Sequence, residues 1–447
     1  MHVPDGYLSP VTSGVLYATA MPFWAIAVAR VRRVVGGRTV PLLAIFSAFA
    51  FAIMMFNIPV PGGTTAHAVG GTFAAIVIGP WAAVVSTSVA IVIQALFFGD
   101  GGITAIGANC LNMGVLLPIT GYLVYRTVAG RSHVLSERRV VAAAVGAYVG
   151  ITVAALAVGF ELGIQPGLYS TNGIPDYSPY GLSTAIPSML VAHVFGASFV
   201  EAAVTALGLA YLQRSYPELL LRGRKRTEDL VSVAPRVSPW LVGGGIFVGA
   251  GILVFVAGWL KGGSLRAWGG LDWTGVNWTD VSETVLVSAV ITAAGLPLIA
   301  ILLRGRRAWR GPAMIFAAIV IWAPMGLIAP AGAFGEDQSA TQAQVSAALA
   351  ARAAGDRSLY NALPTVNREC DCVPTKLGNV SAGKASPFSG YEPPWVSATD
   401  PAWKQNLGYQ FAAVIGFGLL AGFLLAVYGA GRWMMPSAPP DWRTAEK

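Results

Sequence analysis

From Leu8 to Ala29 the chain carries no charged side chain, and the same holds from Pro41 to Ile58 and again from Ala66 to Phe98. An apolar run of about 20 residues, wound as a helix, matches the ~30 Å hydrocarbon core of a bilayer. Such runs recur along 447 residues that are 55% hydrophobic and only 11% charged, which excludes a soluble globule built around one core. The fold class that follows is all-α, a polytopic membrane helix bundle.

The basic residues orient the bundle. Arg30, Arg32, Arg33 and Arg38 follow the first run, and a second basic loop extends from Arg131 to Arg139. Further clusters stand at Arg222, Arg224, Lys225 and Arg226, and at Arg304, Arg306, Arg307 and Arg310. Short basic loops mark the cytoplasmic side, so the amino terminus is expected outside. Residues 66–98 are long for one crossing and short for two; a tight cytoplasmic turn at Gly79-Pro80 keeps the later basic loops inside and makes the first piece short. With spans at about 103–126, 140–160 and 184–212, residues 1–228 read as a seven-span unit. Residues 229–311 read as a two-span extension, with spans near 239–260 and 283–303. Residues 312–447 add spans near 312–329 and 408–430 around a long extracytoplasmic loop, making about four additional C-terminal spans.

The net charge of +8 sits in these loops, a pattern that speaks for a membrane and against nucleic acid. No Gly-x-x-x-x-Gly-Lys-Ser/Thr phosphate loop occurs, so no ATP site is expected in this chain. Three cysteines are too few for a disulfide framework; Cys110 reads as a buried apolar residue, and Cys370 and Cys372 are spaced too closely for an ordinary zinc pair.

The chemistry is concentrated at the start, Met1-His2-Val3-Pro4-Asp5-Gly6. A free amine on Met1, the amide nitrogen of His2 and its imidazole can close two fused chelate rings around a divalent ion. His67, after Gly62-Gly63-Thr64-Thr65-Ala66, is the candidate for the remaining position. An all-nitrogen planar set suits nickel(II), cobalt(II) and, by affinity, copper(II), and serves magnesium or calcium poorly. The bulk of His2 is expected to protect Met1 from removal, and no cleavable leader is expected ahead of it. Binding is expected to release protons and to weaken in acid, because the amine and the amide must both be deprotonated.

These words, together with Gly79-Pro80-Trp81-Ala82-Ala83 and Gln94-Ala95-Leu96-Phe97-Phe98-Gly99-Asp100-Gly101-Gly102, resemble the CbiM/NikM family over roughly residues 1–228. The resemblance implies the substrate-binding membrane subunit of an energy-coupling-factor importer, with Co2+ or Ni2+ as transported substrate. It implies Met1, His2 and His67 as metal ligands, and a transmembrane coupling subunit and cytoplasmic ATPases as partners. The last two spans and Gly390-Tyr391-Glu392-Pro393-Pro394-Trp395 faintly resemble the small accessory subunit of such importers; an extracytoplasmic decoration without a transport role is the other reading.

Asp5, Thr64 and Thr65 are candidates for hydrogen bonds that fix imidazole orientation, and His193 for a similar place or one on the ion's route. Gln94, Asn109 and Asn112 read as interhelical hydrogen-bonding groups. One alternative is a membrane-embedded metalloenzyme using His67, His193 and Glu201; another is a secondary transporter acting alone.

Overall fold

The computed structural model describes residues 1–34, 39–60, 64–220, 342–363, 373–374, 386–397 and 400–434. The expected spans at 239–260, 283–303 and 312–329, and Cys370 and Cys372, lie outside the described residues.

Helix α1 (Pro10–Val34) begins at Ser9, whose Oγ accepts from the Thr12 amide at 3.0 Å, an N-cap that satisfies one of the open donors of the first turn. Helix α2 (Thr39–Met55) leads into strand β1 (Asn57–Val60), which pairs antiparallel with β2 (Thr64–His67) and sets Asn57 opposite His67. Then follow α3 (Gly71–Ile78), α4 (Pro80–Ile93), α5 (Ile106–Asn109), α6 (Leu117–Ala129), α7 (Glu137–Gly163), α8 (Gln165–Leu168), α9 (Leu182–Ala192) and α10 (Ser198–Ser215). Five helical stretches are long and apolar enough to cross a membrane among the described residues: Pro10–Arg32, Pro80–Phe98, Ile106–Ala129, Glu137–Leu168 and Leu182–Ser215. Val11, Val15, Met21, Ile26 and Val28 of α1 are exposed, as a helix facing hydrocarbon requires.

The all-α expectation needs one correction. Pro59 has no amide proton, and the Pro61-Gly62-Gly63 stretch between the strands disfavours helix, so the chain around it satisfies its backbone through the β1–β2 ladder. A second ladder pairs Ser170–Thr171 with Ile174–Pro175.

The break expected at Gly79-Pro80 is present: Gly79 has φ 93 and ψ 153, a conformation open essentially to glycine, and Pro80 opens α4. The piece before it is a half-helix rather than a short span, since eight residues rise only about 12 Å. Its start is held from across the bundle. Glu201 Oε2 of α10 accepts from the amides of Val69 at 2.6 Å and Gly70 at 2.8 Å, two donors at the positive end of α3. Glu201→Ala is expected to destabilise the fold by about 2–4 kcal/mol, because both donors then lie buried without an acceptor. Glu201→Gln, which keeps a carbonyl oxygen, is expected to lose less; thermal midpoints of the two variants in detergent check the order.

Helix α7 forms the middle of the bundle, packing on α6, α9 and α10. Small residues permit the approach: a Cβ on Gly146 would stand 2.5 Å from the Gly121 carbonyl. The C-terminal helix Ala402–Met434 runs through residues 408–430 and lies against α2, with Tyr409 donating to the Met55 carbonyl at 3.0 Å.

Candidate metal centre

Chain termini usually fray, but this one is buried. Met1, His2 and Val3 are 6%, 7% and 1% exposed. Three elements hold them. Val3 exchanges two hydrogen bonds with the Asn109 side chain, its amide donating to Oδ1 at 2.7 Å and its carbonyl accepting from Nδ2 at 3.1 Å. The Val3 carbonyl also accepts from the Gly102 amide at 2.8 Å. Asp5 accepts from the amides of Ile103 and Thr104 and from the Thr104 hydroxyl. Asp5 therefore ties the amino-terminal loop to residues 103–104 instead of orienting an imidazole, as expected from sequence; a short carboxylate this near open loop amides is taken up by them.

Within this cradle the Met1 nitrogen lies 3.4 Å from His67 Nε2, and the His2 and His67 rings stand 5.0 Å apart, tilted by 30°. His67 ends β2, where the ladder fixes its backbone, and its Nδ1 faces the Ala68 carbonyl at 3.1 Å. With Nδ1 as donor, Nε2 presents its lone pair toward the amine, the tautomer assigned from that hydrogen bond. Burial, followed by the charge of the amine and of His2, holds the His67 pKa well below the ordinary imidazole range, so the ring is neutral and able to ligate.

His2 Nδ1 pairs with Asp100 Oδ1 at 2.9 Å, while its Nε2 has no hydrogen-bond partner among the described residues. Burial pushes the Asp100 carboxyl up, but the charge and hydrogen bond of His2 outweigh it and leave the carboxyl well below the usual range. Its second oxygen accepts from the Tyr391 hydroxyl and, at 3.4 Å, from Gln94 Nε2. Gln94 Nε2 also donates to the Tyr391 oxygen at 2.8 Å. Burial first, then the Asp100 charge, raises the Tyr391 phenol well above its ordinary value, so it stays a donor.

Met1, His2 and His67 are thus gathered. Thr64 and Thr65 lie on β2 beside them, their side chains outside the described residues. His193 Nδ1 donates to the Met189 carbonyl at 2.8 Å, and its buried Nε2 has no hydrogen-bond partner among the described residues. No hydrogen bond joins it to His2 or His67 among those residues. Glu201 is engaged with the start of α3, and no group of three or more His, Cys, Asp or Glu side chains able to hold a metal occurs among the described residues.

Asp100 and Tyr391 were not anticipated. Asp100 lies between Gly99 and Gly101, where an aspartate reads as turn chemistry, and Tyr391 lies 291 residues further along. The fold itself marks the region: π-helical segments at Gln94–Phe98, Cys110–Leu116 and His193–Ala197 lie next to Asp100 and Asn109 and include His193, and such bulges cluster at functional sites, but no sequence pattern announces them.

The family model described as cobalt uptake substrate-specific transmembrane region matches residues 2–219. A fused nickel transport protein of Rhodobacter capsulatus is 42% identical over 332 residues, which make up 73% of this chain and 92% of that protein. The chain belongs to the CbiM/NikM family. A cobalt transport protein CbiM from a Roseiflexus species is 31% identical over 136 residues, 30% of this chain and 55% of that one. A solved structure described as a truncated transition metal transporter is 50% identical, with a TM-score of 0.45, over 47% of this chain and 98% of its own. As a member of the CbiM/NikM family with five helices among the described residues long and apolar enough to cross a membrane, the chain is a multi-pass membrane protein.

Proposed function

We propose that this chain is the substrate-binding membrane component of an ATP-driven, energy-coupling-factor importer of Co2+ or Ni2+. The observation that carries the reading is the buried Met1 amine, 3.4 Å from a neutral His67 nitrogen and beside the His2 ring. Nitrogen donors from an amine, an amide and two imidazoles favour late first-row ions. The fused chelate uses His2 Nδ1, which in this structure is paired with Asp100; capture of the ion therefore turns the ring and exchanges that hydrogen bond for a metal bond.

The unit spans the plasma membrane with its amino terminus extracytoplasmic, in keeping with the basic loops, and the ion enters from that side. The names of the fused nickel and cobalt relatives support either ion as cargo. The chain carries no phosphate-binding loop, so a transmembrane coupling subunit and cytoplasmic ATPases supply the energy. Ala25 and Ala29 lie on an exposed face of α1, where small residues allow a coupling helix to approach closely.

Titration of detergent-purified protein, with nothing preceding Met1, by nickel or cobalt chloride tests the site: one ion per chain is expected, and no saturable binding would refute it. Metal uptake by cells with and without the partner ATPases tests the energising step. Uptake that persists without them would instead favour the secondary transporter.

A further inference from the structure

The backbone of Val3 is paired as a strand residue would be, but its partner is a side chain. Asn109 accepts from the Val3 amide at 2.7 Å and donates to the Val3 carbonyl at 3.1 Å, the two-bond exchange that opposed residues make in an antiparallel ladder. The Gly102 amide donates to the same carbonyl at 2.8 Å. A carboxamide is the short side chain that offers one acceptor and one donor together without charge, and Asn109 is fully buried. Gly101 leaves it room, since a Cβ there would stand 2.9 Å from Asn109 Nδ2. Asn109 itself has a firm base. It ends α5, which packs on α1, with Gly107 against Tyr17 and the Tyr17 hydroxyl donating to the Ile103 carbonyl at 2.7 Å.

We propose that Asn109 is a positioning residue for metal capture, fixing the Val3 backbone and so setting the length of free chain that ends in the Met1 amine. Beyond the clamp lie only Met1 and His2, which carry three of the four proposed nitrogen donors. Neither Val3 group is a donor to the ion, so both bonds persist when the His2 ring leaves Asp100 and turns to the metal. An unclamped terminus must instead fix its backbone torsions at the moment of binding, and that lost entropy weakens the affinity. This inference rests on the metal reading above, and its test separates the two.

In the metal-free parent the Met1 amine is expected to react with an amine-directed ester at least about tenfold more slowly than in the denatured chain, read by mass spectrometry of the amino-terminal peptide. Asn109→Ala is expected to remove most of that protection and, in titration with nickel chloride, to bind about 10- to 100-fold more weakly. Asn109→Asp keeps an acceptor for the Val3 amide but turns an oxygen toward the Val3 carbonyl, and is expected to lose as much. Asn112→Ala is the control. That amide is equally buried and donates to Glu161 Oε2 at 2.8 Å, and its variant is expected to keep parental affinity and a shielded amine. A parent amine that reacts as fast as in the denatured chain, parental nickel affinity in both Asn109 variants, an equal loss in Asn112→Ala, or weakened binding with the amine still shielded would each overturn the inference. His67→Ala distinguishes the underlying reading: undiminished binding there would remove the metal site itself, whereas lost binding there with parental affinity in the Asn109 variants would remove only the role of Asn109.

Discussion

Adding one residue ahead of Met1, or acetylating its amine, is expected to abolish high-affinity binding of nickel and cobalt, a loss of at least about 1,000-fold or about 4 kcal/mol. Two effects combine. An acylated nitrogen is no longer a basic donor, so one of four ligands and one of two chelate rings disappear together. Space is also lacking, because Met1 is only 6% exposed and packs among the buried side chains of Val3, Tyr7 and Leu8 in the same core. His67→Ala is expected to match this loss by deleting the imidazole that faces the amine at 3.4 Å. Equilibrium dialysis with a radioactive nickel or cobalt isotope measures both variants; retained high-affinity binding in either would exclude the nitrogen site.

Gly102→Val is expected to weaken binding about 100-fold although the residue donates nothing to the ion. A Cβ at position 102 would lie 2.4 Å from the Asp5 amide nitrogen, 2.6 Å from Asp5 Oδ1 and 2.7 Å from the Pro4 carbonyl carbon. Two of those atoms are backbone, so relief comes only from moving the amino-terminal loop away. That movement breaks the bond from the Gly102 amide to the Val3 carbonyl and strains the pairing with Asn109 two residues beyond the Met1 amine. A site loosened by about 1 Å loses most of what preorganisation provides. Gly181→Ala, where a Cβ meets nothing within 4 Å, serves as the control and is expected to bind normally. Parallel titrations of the two variants decide the matter, with circular dichroism verifying that both remain helical.

What could be read without coordinates follows the range of the interactions involved. Apolar runs bounded by arginines are local, and the helices starting at Pro10, Thr39, Pro80, Glu137 and Leu182 lie close to where those runs place them. Gly79-Pro80 is also local, and the break is there, though the half-length of α3 follows from the extended segment that Glu201 clamps from another helix. Met1 and His2 could be singled out because chelate ring sizes depend on neighbouring atoms in one dipeptide, whereas His67 entered as a candidate second imidazole after a glycine-rich stretch and through the family resemblance; the structure places the three side by side. Asp100, Asn109 and Tyr391 were not legible in their present roles, because each acts across a distance in sequence that no periodicity encodes. Asp5 shows the converse: its position beside the ligands suggested imidazole contact, but nearer amides in the 103–104 loop claim both oxygens.

The enclosure of the amino terminus also sets an order of assembly. The partners of Met1 and Val3 come from far along the chain: His67, Asn109 and, through His2 and Asp100, Tyr391. Closing contacts at such separations awaits the helices between them. The amino-terminal residues are therefore seated among the last, once the segment around Tyr391 has folded back over them.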